Sequence, residues 1–260
     1  MSSDPIRLEV RGVAAHLILN RPDKRNALNA AMWEAIPVLL ERALSHDDVR
    51  LLVVSGAGGS FAAGADISEF EDVYATPERA EAYSRSIARA LDGLAAFPRP
   101  TLAMIEGACV GGGCGLALAC DLRFAAEGSR FGITPGKLGL VYTLNDTARL
   151  IRAVGVPTAK DMLFSGRLLD APEALATGLI NRLVPLERLA GEVEAYAGLL
   201  AATSPNSAKV TKKLIALVEA GQAEDDEVTR ALFLEAFTSA DFQEGYRAFL
   251  EKRPPVFGKA

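Results

Sequence analysis

The stretch best suited to chemistry is Gly107 to Asp121, GACVGGGCGLALACD. It follows a short apolar run, Thr101 to Ile105, and leads into an apolar helical segment beginning near Gly113. Three consecutive glycines at a strand-to-helix junction let backbone approach a ligand closely, because no Cβ stands in the way. The first amides of the following helix have no intrahelical acceptor, so they present free donors and a positive dipole end. Such a spot suits a phosphate, or negative charge developing on a thioester oxygen. The same triplet also suits close helix packing, and both readings stand at this point.

A second small-residue loop, FAAGADI from Phe61 to Ile67, also follows a buried strand. One amide from each loop could converge on a single oxygen, which is the geometry of an oxyanion hole. Two nucleotide motifs are excluded. From Gly111 or Gly113, the sixth position of a G-x-G-x-x-G fingerprint falls on Leu116 or Leu118. Gly132 to Lys137 has too few residues between its glycines for a phosphate loop, and Leu138 follows where Ser or Thr is needed.

Strands and helices must hold these loops. Ile6 to Val10 and Ala14 to Leu19 read as strands joined at Arg11-Gly12. The polar segment NRPDKRNALN precedes a helix that Asn29 can cap. Met32, Ile36, Leu39, Leu40 and Ala43 share one face of that helix; Pro37 is expected to kink it, and Trp33 reads as packing. Leu51 to Val54 is an apolar strand of the kind buried on both faces. A charged helix over 77–94, the strand at Thr101 to Ile105 and another at Leu122 to Ala125 complete an alternating pattern that predicts a wound α/β architecture. From about Ala153 the chain reads as mostly helical, with amphipathic helices over 204–253 separated at Gly221. Residues 1–200 are expected to form the core and 201–260 a helical appendage.

The 260 residues carry a net charge of −5, which argues against a nucleic-acid or membrane-surface partner. No apolar run reaches the roughly 20 residues that span a bilayer, and the N-terminus lacks the pattern of a leader. Cys109, Cys114 and Cys120 cluster without CxxC spacing and read as buried reduced thiols, so a cytoplasmic location is expected. With His16 and His46 the only histidines, no metal site is expected.

Taken together, NRPDKRNALN, FAAGADI, GACVGGGCGLALACDLRFAAEGSRFG, FSGRLLDAPEALATGLINRLV and SADFQEGYRAFLEKRPPVF resemble the crotonase superfamily, the enoyl-CoA hydratase/isomerase family, along nearly the whole chain. The resemblance implies a spiral of ββα turns, a C-terminal helical region that forms trimers or dimers of trimers, and acyl-CoA thioester substrates with no separate cofactor. It implies oxyanion-hole amides at Ala63 and Gly112. It places CoA against the turn at Lys24, Arg25, Ala27 and Leu28 and the loop containing Ala62, Ala65, Asp66 and Ile67. Read on their own, Lys24 and Arg25 fit a solvated turn equally well.

The chain departs from that pattern where hydratases of the family carry two glutamates. One position here is Gly115, and the other, allowing one inserted residue, is Gly136. Glycine can neither hold nor activate water. Decarboxylation of a malonyl-type thioester needs no base and disfavours carboxylates beside the substrate's own. ITPGKLGLVYTL resembles the matching loop of methylmalonyl-CoA decarboxylases in the superfamily, with Thr134 and Tyr142 in place; Tyr142 would orient the carboxylate or relay a proton. Those enzymes carry histidine where this chain has Ala65. Two rivals remain: hydration or isomerisation with Asp146, Asp66 or Glu69 as the base, and a catalytically silent acyl-CoA-binding subunit.

Overall fold

The computed structural model describes residues 4–258; residues 1–3 and 259–260, the ends of the two expected regions, lie outside it. The chain winds as repeated turns of long strand, short strand and helix. β1 (Ile6–Arg11) and β2 (Ala14–Leu19) form an antiparallel pair, and α1 (Ala30–Leu44) follows the polar turn. β3 (Leu51–Gly56) leads through the FAAGADI loop to α2 (Phe70–Val73) and α3 (Pro77–Ala95). β4 (Thr101–Ile105), β5 (Ala108–Val110) and α4 (Gly112–Leu118) make the next turn. β6 (Leu122–Ala126), β7 (Arg130–Gly132) and α5 (Leu144–Ser165) repeat it. β8 (Leu169–Asp170), α6 (Ala171–Ala176), β9 (Arg182–Val184) and α7 (Leu186–Ala201) close the core, and α8 (Pro205–Glu219), α9 (Glu227–Ala236) and α10 (Ala240–Glu251) follow.

One sheet runs in the order β1-β2-β3-β4-β6-β9, parallel from β2 onward, and a second, smaller sheet in the order β5-β7-β8. Ala62 extends this second sheet by a parallel bridge to Cys109. The FAAGADI loop and the glycine stretch are therefore neighbours by sheet pairing.

Parallel strands are covered on both faces, which explains their continuous apolar runs. Leu17, Leu52, Val54 and Ala103 face a large core with Trp33, Phe61, Leu91 and Phe131. Leu51, Val53, Leu102 and Phe124 face the other way, against Leu189, Val193 and Ala197 of α7. Asn29 caps α1 by accepting from the Met32 amide, and the expected apolar face is buried. The helix runs on through Pro37 to Leu44. α5 is two helical segments meeting at Gly155, whose φ of +74° only glycine adopts readily. Among the described residues no helix is long and apolar enough to cross a membrane.

Candidate functional site

The two loops are held rigidly by backbone pairing. The Ala62 amide donates to Ala108 O at 2.8 Å, and the Val110 amide donates to Ala62 O at 3.0 Å. On the other side, the Leu28 amide donates to Gly64 O at 2.8 Å and the Asp66 amide to Leu28 O at 2.9 Å. Only glycine fits at Gly113, where a Cβ would stand 2.5 Å from Ala62 O. The triplet is thus a packing requirement and a means of exposing amides at once.

The amide expected from the first loop needs correction. Ala63 donates to Arg25 O at 2.9 Å, so its N–H is committed to bracing the turn. Two residues on, no carbonyl or side chain among the described residues accepts from Ala65. Gly64 lies between them at φ +114°, a conformation that favours glycine and turns the following peptide. Gly112 opens α4, so its N–H has no intrahelical acceptor. A Cβ on Gly112 would lie 3.7 Å from the Ala65 nitrogen. The two unspent donors that lie together are therefore Ala65 and Gly112.

The turn expected to hold CoA is built around a residue the sequence argument passed over. Asn26 is fully buried at φ +56°; its Oδ1 accepts from the Arg21 amide at 2.8 Å, and its Nδ2 donates to Ala57 O and Ser60 O. Lys24 and Arg25 project from this turn as exposed side chains, and Ala27 is half-buried, its carbonyl accepting from Arg21 at 2.7 Å. Leu28 and Ala62 are fully buried and contribute only backbone to the site. Ile67 is exposed at the far end of the loop.

Each carboxylate considered as a base has a structural occupation. Asp66 accepts from the Ser68 hydroxyl at 2.6 Å and from Arg21 at 2.7 Å. These contacts, Ser68 foremost, hold its carboxyl below the usual range. Glu69 caps α1 by accepting from the Ala30 amide at 2.8 Å. Asp146 is buried, accepting from the Thr143 hydroxyl at 2.7 Å and from Arg149 at 2.8 Å. Arg149 also reaches Asp92.

Tyr142 occupies the place that Gly115 leaves open. A Cβ on Gly115 would lie 3.0 Å from the Tyr142 hydroxyl and 3.7 Å from Leu91 Cδ1. The hydroxyl is buried and has no hydrogen-bond partner. Burial, followed by the neighbouring Cys114 thiol and the Asp146 charge, pushes its pKa well above the usual phenol value. It is therefore a neutral donor across the physiological range. Thr134 is half-buried and precedes a 3₁₀ turn, Pro135–Leu138; its side chain makes no cap bond. Gly136 is exposed, with Leu163 O the nearest neighbour of an added Cβ at 3.5 Å. A cavity of about 710 Å³ between α8 and the core includes neither the paired amides nor Tyr142. What the described groups assemble is a pair of free amides with one buried, neutral phenol at the first turn of α4.

A family model described as enoyl-CoA hydratase/isomerase matches residues 10–260. A putative enoyl-CoA hydratase of Thermus thermophilus is 39% identical over 250 residues, covering 95% of this chain and 98% of that protein. An (E)-benzylidenesuccinyl-CoA hydratase of Thauera aromatica is 33% identical over 97% of this chain and 98% of its own length. Among solved structures, a putative enoyl-CoA hydratase/isomerase family protein from Hyphomonas neptunium matches with a TM-score of 0.97 and 48% identity over 99% of each chain.

Proposed function

The chain belongs to the enoyl-CoA hydratase/isomerase family, and we propose that it is a lyase acting on acyl-CoA thioesters that decarboxylates a malonyl-type substrate. The observation that carries this reading is the Tyr142 hydroxyl, buried and unpartnered beside Gly115. The Ala65 and Gly112 amides would hold the thioester oxygen. The bond from Cα to the substrate carboxylate breaks, its electron pair passes into the thioester to give an enolate, and carbon dioxide leaves. Preorganised amides stabilise that charge without reorganising. Cα then takes a proton from the Tyr142 hydroxyl, which regains it from water. No base is needed, and no cofactor beyond the CoA carried by the substrate.

The occupied state of Asp66, Glu69 and Asp146 supports this reading over one that needs a carboxylate base. Hydration is the second reading, favoured by the names of the relatives. CoA would lie against Lys24 and Arg25 of the exposed turn. The apolar side chains Phe233, Leu234, Phe249, Leu250 and Val256, all more than 60% exposed, support assembly of the C-terminal helices into trimers.

The test is carbon dioxide release from malonyl-CoA and methylmalonyl-CoA, run beside crotonyl-CoA hydration followed by loss of the enoyl absorbance. Decarboxylation that falls at least about 10²-fold in Tyr142→Phe bears the reading out. Fast crotonyl-CoA hydration with no decarboxylation overturns it in favour of the second reading. Thioester binding without either reaction points to a silent subunit.

A further inference from the structure

Tyr142 can deliver a proton only while its hydroxyl stays beside Gly115, and backbone pairing does not hold it there. Upstream, the last backbone bond is from the Leu140 amide to Pro135 O at 2.9 Å. Downstream, α5 begins with the Thr147 amide donating to Thr143 O at 2.9 Å. The amides of Val141, Tyr142 and Thr143 have no backbone acceptor among the described residues. Val141 is 91% exposed and Leu144 84%, so packing on either side of the tyrosine does not fix it either. In this segment only the Tyr142 ring packs against the core.

Side chains supply the missing hold. Thr143, the next residue, caps α5: its hydroxyl donates to Asp146 at 2.7 Å and accepts from the Asp146 amide at 3.2 Å. Asp146 accepts from Arg149 at 2.8 Å, and the same guanidinium donates through its other terminal nitrogen to Asp92 on α3. The Arg149 side chain is 13% exposed and that of Asp92 49%, so the row runs from the interior out to the surface. A planar guanidinium between two carboxylates is fixed in direction as well as in charge, and linked charges hold better than an isolated surface pair. Asp92 follows Leu91 in α3. Leu91 and the Tyr142 hydroxyl are the two groups that border the space at Gly115. The tie therefore lands one residue from the wall against which the phenol must register.

We propose that Arg149 and Asp92 are positioning residues for the proton donor: they tie the first turn of α5 to α3 and so hold the Tyr142 hydroxyl at the site. The proposal rests on the decarboxylase reading above. Neither residue touches the reacting atoms. Their effect is on the rate of proton delivery and not on thioester binding, because the amide pair is fixed separately by sheet pairing.

The test is carbon dioxide release from malonyl-CoA and methylmalonyl-CoA by wild type, Asp92→Asn, Asp92→Glu, Tyr142→Phe and the double variant Asp92→Asn/Tyr142→Phe. Asp92 is half-exposed, so its neutral isostere should leave Tm close to wild type. Its kcat should fall about tenfold with KM unchanged, as expected when a reacting group is loosened but not removed. Asp92→Glu, which keeps the carboxylate, should restore most of the loss. In the double variant Asp92→Asn should cost nothing beyond Tyr142→Phe, since the group it positions is already gone. Glu81→Gln, which breaks the exposed Arg85 pair on the same helix, is the control and should turn over like wild type. Wild-type turnover in Asp92→Asn overturns the proposal, as does the same loss in the Tyr142→Phe background or a loss that tracks a fall in Tm. If the wild-type protein releases no carbon dioxide from either thioester, the decarboxylase reading itself has failed, and this one with it.

Discussion

Gly113→Ala is the sharpest perturbation of the candidate site, because the new methyl meets backbone. Its Cβ would stand 2.5 Å from Ala62 O, 2.7 Å from Ala62 Cβ and 3.0 Å from Ala62 C. Ordinary carbon contacts lie near 3.5–4.0 Å, so a gap of about 1 Å must open. Ala62 cannot retreat, since its amide and carbonyl are bonded to Ala108 and Val110 on β5. The start of α4 must move instead, carrying Gly112 away from Ala65. Overpacking costs about 1–3 kcal/mol, and contact with fixed backbone puts this case at the upper end. At roughly 2–4 °C per kcal/mol for a chain of this size, Tm should fall by about 5–10 °C. Misplacing the amide pair by about 1 Å should also lower turnover on order 10²-fold. Gly115→Ala is the control. Its Cβ meets only the ends of two side chains, Tyr142 and Leu91, so Tm should hold or rise slightly on helix propensity while the phenol shifts. Scanning calorimetry and turnover on the two variants decide the matter. A Gly113→Ala protein as stable as wild type, or a Gly115→Ala protein that loses as much, refutes the packing argument.

Three further outcomes follow from the hydrogen-bond network. Asn26→Ala removes three hydrogen bonds of a fully buried side chain and a residue that tolerates positive φ; it should cost about 2–4 kcal/mol in denaturant unfolding. Asp66 has a depressed folded pKa, so its contribution is fully present above the ordinary carboxylate value of about 3.9 and is lost as pH falls through the lower folded value. The stability gap between wild type and Asp66→Asn, followed by urea midpoints, should therefore be flat at neutral pH and close only below about pH 4. Arg149→Ala strips the buried Asp146 carboxylate of its cation beside the Tyr142 segment; a loss of about 3–5 kcal/mol is expected from thermal or urea unfolding, larger than for Arg85→Ala on exposed α3.

The long elements were legible because their signals are local. The apolar run Thr101–Ile105 is a strand with those same bounds, and Asn29 caps α1 because a short polar side chain precedes an apolar helical period. The strands of the second sheet, β5, β7 and β8, have two or three residues each, too few to show alternation. Their absence from the sequence reading hid the bridge that brings Ala62 to Cys109. The choice between Ala63 and Ala65 was equally invisible, since both are alanines flanking one glycine. It is decided by the Arg25 carbonyl and the Leu28 pairing, which come from a turn some 35 residues earlier. The glycine between them was the available clue, because a positive φ there redirects the next amide.

The division between backbone and side chain explains how this fold can keep one part of its chemistry while another part changes. The amide pair depends on Gly64, Gly113 and the carbonyls around Ala62 and Leu28, all fixed by sheet pairing. None of these constraints involves the side chain at Gly115, which faces Tyr142 and Leu91 rather than backbone. The amide pair is thus written into the packing, and a substitution that disturbs it disturbs folding too. The side chains that face the space beside Gly115 carry no such constraint and are free to be exchanged. On the proposed reading, a proton donor at Tyr142 leaves the amide pair intact and changes only which bond to Cα can break.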